Sequence, residues 1–202
     1  MKKLIIIGAS GQGKVVADIA IRNGYDEICF LDDDDNLTEC GGYPVIGKSS
    51  TYTEYDSDIF VAIGDSRVRE KITKQLEDSN KNIPILIHPN ATVASDVTIG
   101  RGTVVAAGAV INPGTVIGKG CIINTCSSVD HDCRIGDYVH IAVGSHITGM
   151  VNIGNGTWIG AGATVINNVD ICENCMIGAG AVVINNIYEI GTYIGIPARR
   201  KF

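Results

Sequence analysis

The sequence predicts an α/β N-terminal half-Rossmann domain followed by a left-handed parallel β-helix of hexapeptide repeats. Three observations carry that prediction. Ile or Val recurs at every sixth residue from Ile87 to Val183, a glycine-rich turn follows the first apolar run, and an acidic pair follows the second. A first domain is expected over residues 1–84 and the β-helix over 85–202, joined through Asn82–Pro89, which contains Pro84.

The repeat runs Ile87, Val93, Ile99, Val105, Ile111, Ile117, Ile123, Val129, Ile135 and on to Ile177 and Val183 without a break. A helix needs a period near 3.6 residues, so this pattern excludes one. A period of six is that of a parallel β-helix, where each face adds a short strand and the aliphatic residues stack inside the prism. Three faces make one coil of 18 residues. Four residues after each aliphatic position comes a small or β-branched residue, as at Ala91, Thr103, Ala109, Ser127, Ala163 and Ala181. Gly and Asn, as in Asn155-Gly156 and Asn167-Asn168, suit corners that require positive φ.

Upstream, Lys3–Ile7 reads as a buried strand and Gly8-Ala9-Ser10-Gly11-Gln12-Gly13 as a tight turn. Lys14–Asn23 reads as a helix with Val15, Val16, Ile19 and Ala20 on its apolar side, and Ile28–Leu31 as a second strand. This is the start of a βαβ unit, whose glycine turn lets phosphate approach backbone N–H groups at a helix N-terminus. The spacing G-x-x-G-x-G differs from the dinucleotide pattern G-x-G-x-x-G. Asp32 and Asp33 follow the second strand, where a carboxylate can accept hydrogen bonds from a ribose or base. A third strand, Asp58–Ile63, runs into Gly64-Asp65-Ser66 and a helix over Arg67–Leu76. About 85 residues make half of a doubly wound dinucleotide fold, so a single nucleotide fits better than NAD.

Composition narrows the rest. A net charge of −6 gives no basic footprint, so neither nucleic acid nor an acidic membrane surface is an expected partner. No apolar run approaches a membrane span and Met1–Gly8 lacks a signal-peptide core, which makes the cytoplasm the expected address. Seven cysteines, several at small buried positions of the repeat, read as reduced packing thiols; Cys172 and Cys175 form a C-x-x-C with no second pair.

Function has to be sought in residues that the repeat does not require. Asn124-Thr125-Cys126-Ser127-Ser128-Val129-Asp130-His131-Asp132-Cys133 is such a stretch. His131 stands two places after the ladder residue Val129 and should point outward. An exposed imidazole next to a carboxylate can take a proton from an attacking amine or hydroxyl. His131 and His140 are nine residues apart, half a coil, so they fall on opposite sides of one prism. A site using both would lie between subunits, as a closed cyclic trimer provides.

Taken together, the glycine turn, the acidic pair, the hexapeptide repeat and the segment N-T-x-S-x-V-x-H-D resemble the bacterial sugar O-/N-acyltransferase family of the hexapeptide-repeat superfamily. That family includes UDP-4-amino-sugar N-acetyltransferases and sialic-acid O-acetyltransferase-like proteins. The resemblance implies an acetyl-CoA-dependent enzyme without a metal, acting as a homotrimer on the amino group of a UDP-linked amino sugar. It implies His131 as the base and Asp132 as the acid that raises its basicity. His140 would lie against acetyl-CoA, Gly149 would offer a backbone N–H near the acyl group, and the backbone at Ala161 and Ala179 would line the pantetheine groove. Ser10, Gly11 and Gln12 would meet the phosphates and sugar, and Asp32 and Asp33 the uridine, with Gly64 close by. The ending Ile194–Arg200 resembles that of hexapeptide acyltransferases and puts Arg199 and Arg200 within reach of the CoA phosphates. Two departures stand out: Gln12 replaces a histidine common in relatives, and Asp132 is shorter than the glutamate some carry. Alternatives are a sugar O-acetyltransferase of the sialic-acid type, a metal-dependent hydratase using His131, His140 and His146, and a non-catalytic sugar-nucleotide-binding scaffold. Cys126, five residues before His131, is a rival acyl carrier.

Overall fold

The computed structural model describes residues 1–201, which divide into two compact units, Met1–Pro89 and a second beginning at Asn90. In the first unit, β1 (Lys3–Ile7), α1 (Gly11–Arg22), β2 (Glu27–Leu31), β3 (Glu39–Cys40), β4 (Tyr43–Gly47), β5 (Asp58–Val61) and α2 (Ser66–Asp78) follow in that order. The sheet order is β3-β4-β2-β1-β5. All pairings are parallel except that between β3 and β4. The central strand β1 has Leu4, Ile5, Ile6 and Ile7 at 0% exposure, which explains its unbroken apolar run. One side of the core gathers Ile5, Ile7, Leu31, Ile59, Val61, Leu76 and Ile83.

Four local expectations are corrected. Helix α1 begins at Gly11, three residues earlier than read from Lys14, so only Gly8-Ala9-Ser10 remains outside β1 and α1. Gly13 is the reason a glycine run can enter a helix: a Cβ there would stand 2.3 Å from Gly8 O and 2.8 Å from Phe30 Cε1. Val15 is exposed, and the buried stripe is Val16, Ala17, Ile19 and Ala20. Strand β5 stops at Val61 rather than Ile63, and α2 runs from Ser66, where Asp65 caps it by accepting from the N–H groups of Arg67 and Val68, to Asp78, two residues beyond the expected end. The hairpin β3–β4 was not anticipated; it turns through Gly41 and Gly42, both at positive φ.

The second unit is the β-helix. Its first face stacks Thr92–Val93, Val110–Ile111, Ser128–Val129, His146–Ile147, Thr164–Val165 and Val182–Val183 in parallel register. The second face stacks Thr98–Ile99, Val116–Ile117, Arg134–Ile135, Asn152–Ile153 and Asp170–Ile171. The third stacks Val104–Val105, Ile122–Ile123, His140–Ile141, Trp158–Ile159, Met176–Ile177 and Thr192–Ile194. The second residue of each pair from Val105 to Val183 points inward and is at most 3% exposed.

The small position of the repeat has a second duty. Thr103, Thr115 and Thr157 are fully buried and each hydroxyl bridges coils, donating to Gly118 O, Asp130 O and Cys172 O. Cys121 and Cys133 occupy the same kind of position and donate to Gly136 O and Thr148 O. These thiols therefore replace hydroxyls in the packing, and all seven cysteines are free. Among the described residues no helix is long and apolar enough to cross a membrane.

Candidate active site

The corner between the first and second faces carries His131 and Asp132. Its backbone is fixed from both neighbouring coils: Asp132 N donates to Pro113 O (3.0 Å) and Met150 N to His131 O (2.9 Å). Asp132 adopts φ of 58°, a left-handed conformation that Asp tolerates better than most residues. Its carboxylate reaches the ring, with Oδ2 2.9 Å from His131 Nδ1. A proton on Nδ1 donated to Asp132 leaves Nε2 as the acceptor, and both side chains are open to solvent. That hydrogen bond, followed by the charges of Asp130 and Asp132, raises the imidazole above the usual histidine value.

Two glycines clear the space for this pair. A Cβ on Gly149, one coil above His131, would lie 2.6 Å from its Cε1 and Nε2, and one on Gly114, one coil below Asp132, would lie 2.4 Å from its Oδ1. Beside them, Asp130 Oδ1 accepts from Asn112 Nδ2 (2.7 Å) and from the backbone N of His131 (2.8 Å). The Asn112 bond first, and the His131 N–H second, hold the Asp130 carboxyl below its usual range, so it is ionised at neutral pH. Asn112 and Gly114 have no assigned part in the sequence reading, whereas Asp130 already stands in its polar stretch as the acid on the other side of His131. Their signal is the 18-residue offset, which stacks 112 under 130, 114 under 132 and 131 under 149.

His140 lies on the third face, not at this corner. It is 7% exposed, stacked on Trp158 with ring centroids 4.3 Å apart, and its Nε2 is 3.3 Å from Asn124 Nδ2. Ala161 and Ala179 stand on the corner between the third and first faces, exposed and one coil apart, with Gly180 N donating to Ala161 O (2.9 Å). His146 is on the first face, 2.9 Å through Nδ1 from Ser128 Oγ. The three imidazoles weighed as a metal set therefore point from a corner and two different faces. Among the described residues no group of three His, Cys, Asp or Glu is arranged to hold a metal ion. Cys126 is exposed at φ 54° on the corner that precedes the first face. Near the C-terminus Arg200 is engaged by Glu189 and by Ile190 O, while Arg199 Nη1 donates to its neighbour Ala198 O.

In the first unit, α1 begins with neither an acidic residue nor a side-chain cap in its first turn, so no side chain of its own occupies its leading N–H groups. Ser10, at the N-cap, and Gly11 are exposed and Gln12 is half-buried. Asp32 Oδ2 accepts from Ala9 N (2.7 Å) and Oδ1 from Asp34 N (3.0 Å), which ties the acidic segment to the glycine turn. Asp33 is more open; Oδ1 accepts from Ser49 N (2.9 Å). Gly64 needs glycine neither for φ nor for space, since a Cβ there, as at Gly11, would have nothing within 4 Å. Arg69 is 1% exposed and holds this loop, its Nη1 donating to Ile63 O (2.8 Å) and Gly64 O (2.7 Å). Its role was invisible in the sequence, where it reads as one more basic residue of a surface helix.

A hexapeptide-repeat acyltransferase is the class that this β-helix, with a histidine and acid exposed at one corner, defines. Family models agree: one described as PglD N-terminal domain matches residues 3–76, and one described as bacterial transferase hexapeptide (six repeats) matches 86–113 and 150–185. The acetyltransferase domain of PglB from Neisseria gonorrhoeae FA1090, solved in complex with acetyl coenzyme A, is 41% identical over 99% of both chains, with a TM-score of 0.96. PerB from Caulobacter crescentus, in complex with CoA and GDP-perosamine, is 35% identical over 100% of this chain and 98% of that one, with a TM-score of 0.95. The UDP-N-acetylbacillosamine N-acetyltransferase of Bacillus subtilis (strain 168) is 36% identical over 110 residues, 52% of this chain and 51% of that protein. The chain thus spans about half the length of that curated relative. It belongs to the bacterial sugar acyltransferase family of the hexapeptide-repeat superfamily.

Proposed function

We propose that this protein transfers the acetyl group of acetyl-CoA to the amino group of a UDP-linked amino sugar by direct attack, with His131 as general base. The observation that carries the reading is the exposed His131–Asp132 pair in a corner cleared by Gly114 and Gly149. A sugar ammonium must lose its proton before it can attack a thioester, and a positioned base whose own affinity for protons is raised suits that task. Support for the donor and the acceptor class comes from the relatives solved with acetyl coenzyme A, CoA and GDP-perosamine. His140, the Gly149 N–H and the backbone at Ala161 and Ala179 are assigned to the donor. Because His131 and Ala161 stand on different corners of one prism, the proposed working form is a homotrimer with shared clefts, acting in the cytoplasm where acetyl-CoA is available.

Ser10, Gly11, Gln12 and Gly64 are assigned to the phosphates and sugar, and Asp32 and Asp33 to the nucleoside. Between uracil and guanine, the carboxylate geometry favours uracil. Both oxygens of Asp32 and one of Asp33 already accept backbone N–H groups, so a single imino donor is easier to satisfy than guanine's adjacent pair. Turnover of UDP- and GDP-linked 4-amino sugars with acetyl-CoA, followed through the freed thiol, tests the proposal. Activity on the UDP sugar that falls at least about 10²-fold in His131→Ala is expected. A preference for the GDP sugar overturns the choice of uracil, full activity in His131→Ala overturns the mechanism, and a monomer in light scattering overturns the shared cleft. An acetyl adduct formed from acetyl-CoA alone and lost in Cys126→Ser would replace direct attack with an acyl-enzyme.

A further inference from the structure

Position 172 breaks the rule of the repeat around it. The corner between the second and third faces opens on glycine in each earlier coil, at Gly100, Gly118, Gly136 and Gly154, because the next coil lies against it. A Cβ at these positions would stand 2.4 to 2.5 Å from the overlying residue. In the following coil the same position is Cys172, where a side chain fits and the residue chosen is a thiol. Three residues on, Cys175 takes the small inward position held earlier by Thr103, Cys121, Val139 and Thr157, and is 2% exposed. Asn174, at φ 55°, tightens Cys172–Cys175 into a turn. The ends of such a turn lie within about 7 Å at Cα, the span a disulfide bridges. The two sulfurs are 3.4 Å apart.

Access is asymmetric. Cys172 is half-buried and lines an open groove of about 430 Å³ on the second face, with Arg134, Asn152, Asp170 and Tyr188. Cys175 is enclosed, and burial, with the neighbouring sulfur second, pushes its thiol up to about 12. It keeps its proton at neutral pH, so the accessible sulfur is the one to attack.

We propose that Cys172 and Cys175 form a dithiol modification site that takes a peroxide-class oxidant and closes to an intramolecular disulfide. The Cys172 sulfur attacks one peroxide oxygen, the O–O bond breaks, water leaves, and Cys172 becomes a sulfenic acid. The Cys175 sulfur then attacks the Cys172 sulfur, the S–O bond breaks, and a second water leaves with the Cys175 proton. The two thiols lose two electrons and the peroxide gains them. Nothing in this site draws on the acetyltransferase reading.

The test treats the reduced full chain with hydrogen peroxide, alkylates it and maps the peptides. The expected product is a loss of about 2 Da joining Cys172 to Cys175, reversed by dithiothreitol. In Cys172→Ser the linkage disappears and Cys175 stays reduced. The exposed Cys126 serves as the control, because it has no thiol partner three residues away. Recovery of Cys172 as sulfinic or sulfonic acid, or of both thiols alkylated while Cys126 is oxidised, overturns the proposal.

Discussion

Substituting Gly149 by alanine isolates the geometry of the proposed base. The added methyl would stand 2.6 Å from His131 Cε1 and Nε2, whereas non-bonded carbon atoms rest about 3.5–4.0 Å apart, so the ring must retreat by about 1 Å. The ring is the far end of a side chain that is 49% exposed, and it can swing into solvent. Gly149 does not occupy the left-handed region, so alanine is compatible with its backbone. Folding should therefore change by less than about 1 kcal/mol. Catalysis should suffer more, because a displacement of about 1 Å at a reacting group costs on the order of 10²-fold. The assay is kcat by thiol release for Gly149→Ala, His131→Ala and the double variant, with Tm alongside. If the methyl acts through the imidazole, it adds little once the imidazole is gone. An equal loss in the His131→Ala background would refute this reasoning and point to crowding of the substrates instead.

Asp132→Asn removes the chief cause of the raised His131 pKa. A base must be neutral to act, so the acid limb of the kcat profile, above about 6.5 in the parent, should move to lower pH. Its plateau should fall by less than in His131→Ala; an unmoved limb would detach the titration from this pair. Gly64→Val should leave the Tm unchanged and weaken UDP binding about tenfold by calorimetry, equivalent to about 1.4 kcal/mol, because the added side chain enters open space. Gly13→Ala should do the reverse, lowering the free energy of urea unfolding by about 1–3 kcal/mol, since its methyl meets Gly8 O and Phe30. Tyr25→Phe deletes the 2.6 Å bond from the phenol to Asp58 and should cost about 1–2 kcal/mol in urea unfolding. Burial first, and the Asp58 bond second, raise the Tyr25 pKa in the folded chain. The unfolded phenol ionises near 10 while the folded one does not, so parent stability should decline above about pH 10, a decline weakened in the variant.

The ladder from Val105 to Val183 was legible because one period fixes both the strand positions and the inward direction. His131 stood out because nothing in the repeat asks for it. What stayed hidden follows a different metric. Whether the shorter Asp132 could reach the ring depended on its positive φ, and Asn112 and Gly114 are near the pair only through the coil stacking. In the first unit the order of β1, α1, β2 and β5 could be read from apolar runs. The start of α1 could not, because Gly11 and Gly13 are poor helix formers, and the close approach of Gly13 to Gly8 and Phe30 that requires a glycine there shows only in the fold. The hairpin β3–β4 is hidden for a different reason: β3 is two residues long, and Pro44, which has no N–H to give a ladder, argues against a strand at β4.

The stacking of 113, 131 and 149 in one column has a practical use for anyone who wishes to alter the protein. Ordinary shells around an active residue must be mapped from coordinates, but here addition and subtraction of 18 names them in advance: Pro113 and Gly149 about His131, and Gly114 and Met150 about Asp132. A small combinatorial library confined to those four sites would sample the immediate vertical surroundings of the pair while leaving every inward aliphatic position untouched. Variants with a changed acceptor preference should be commoner there than among equal numbers of substitutions next to His131 in the chain.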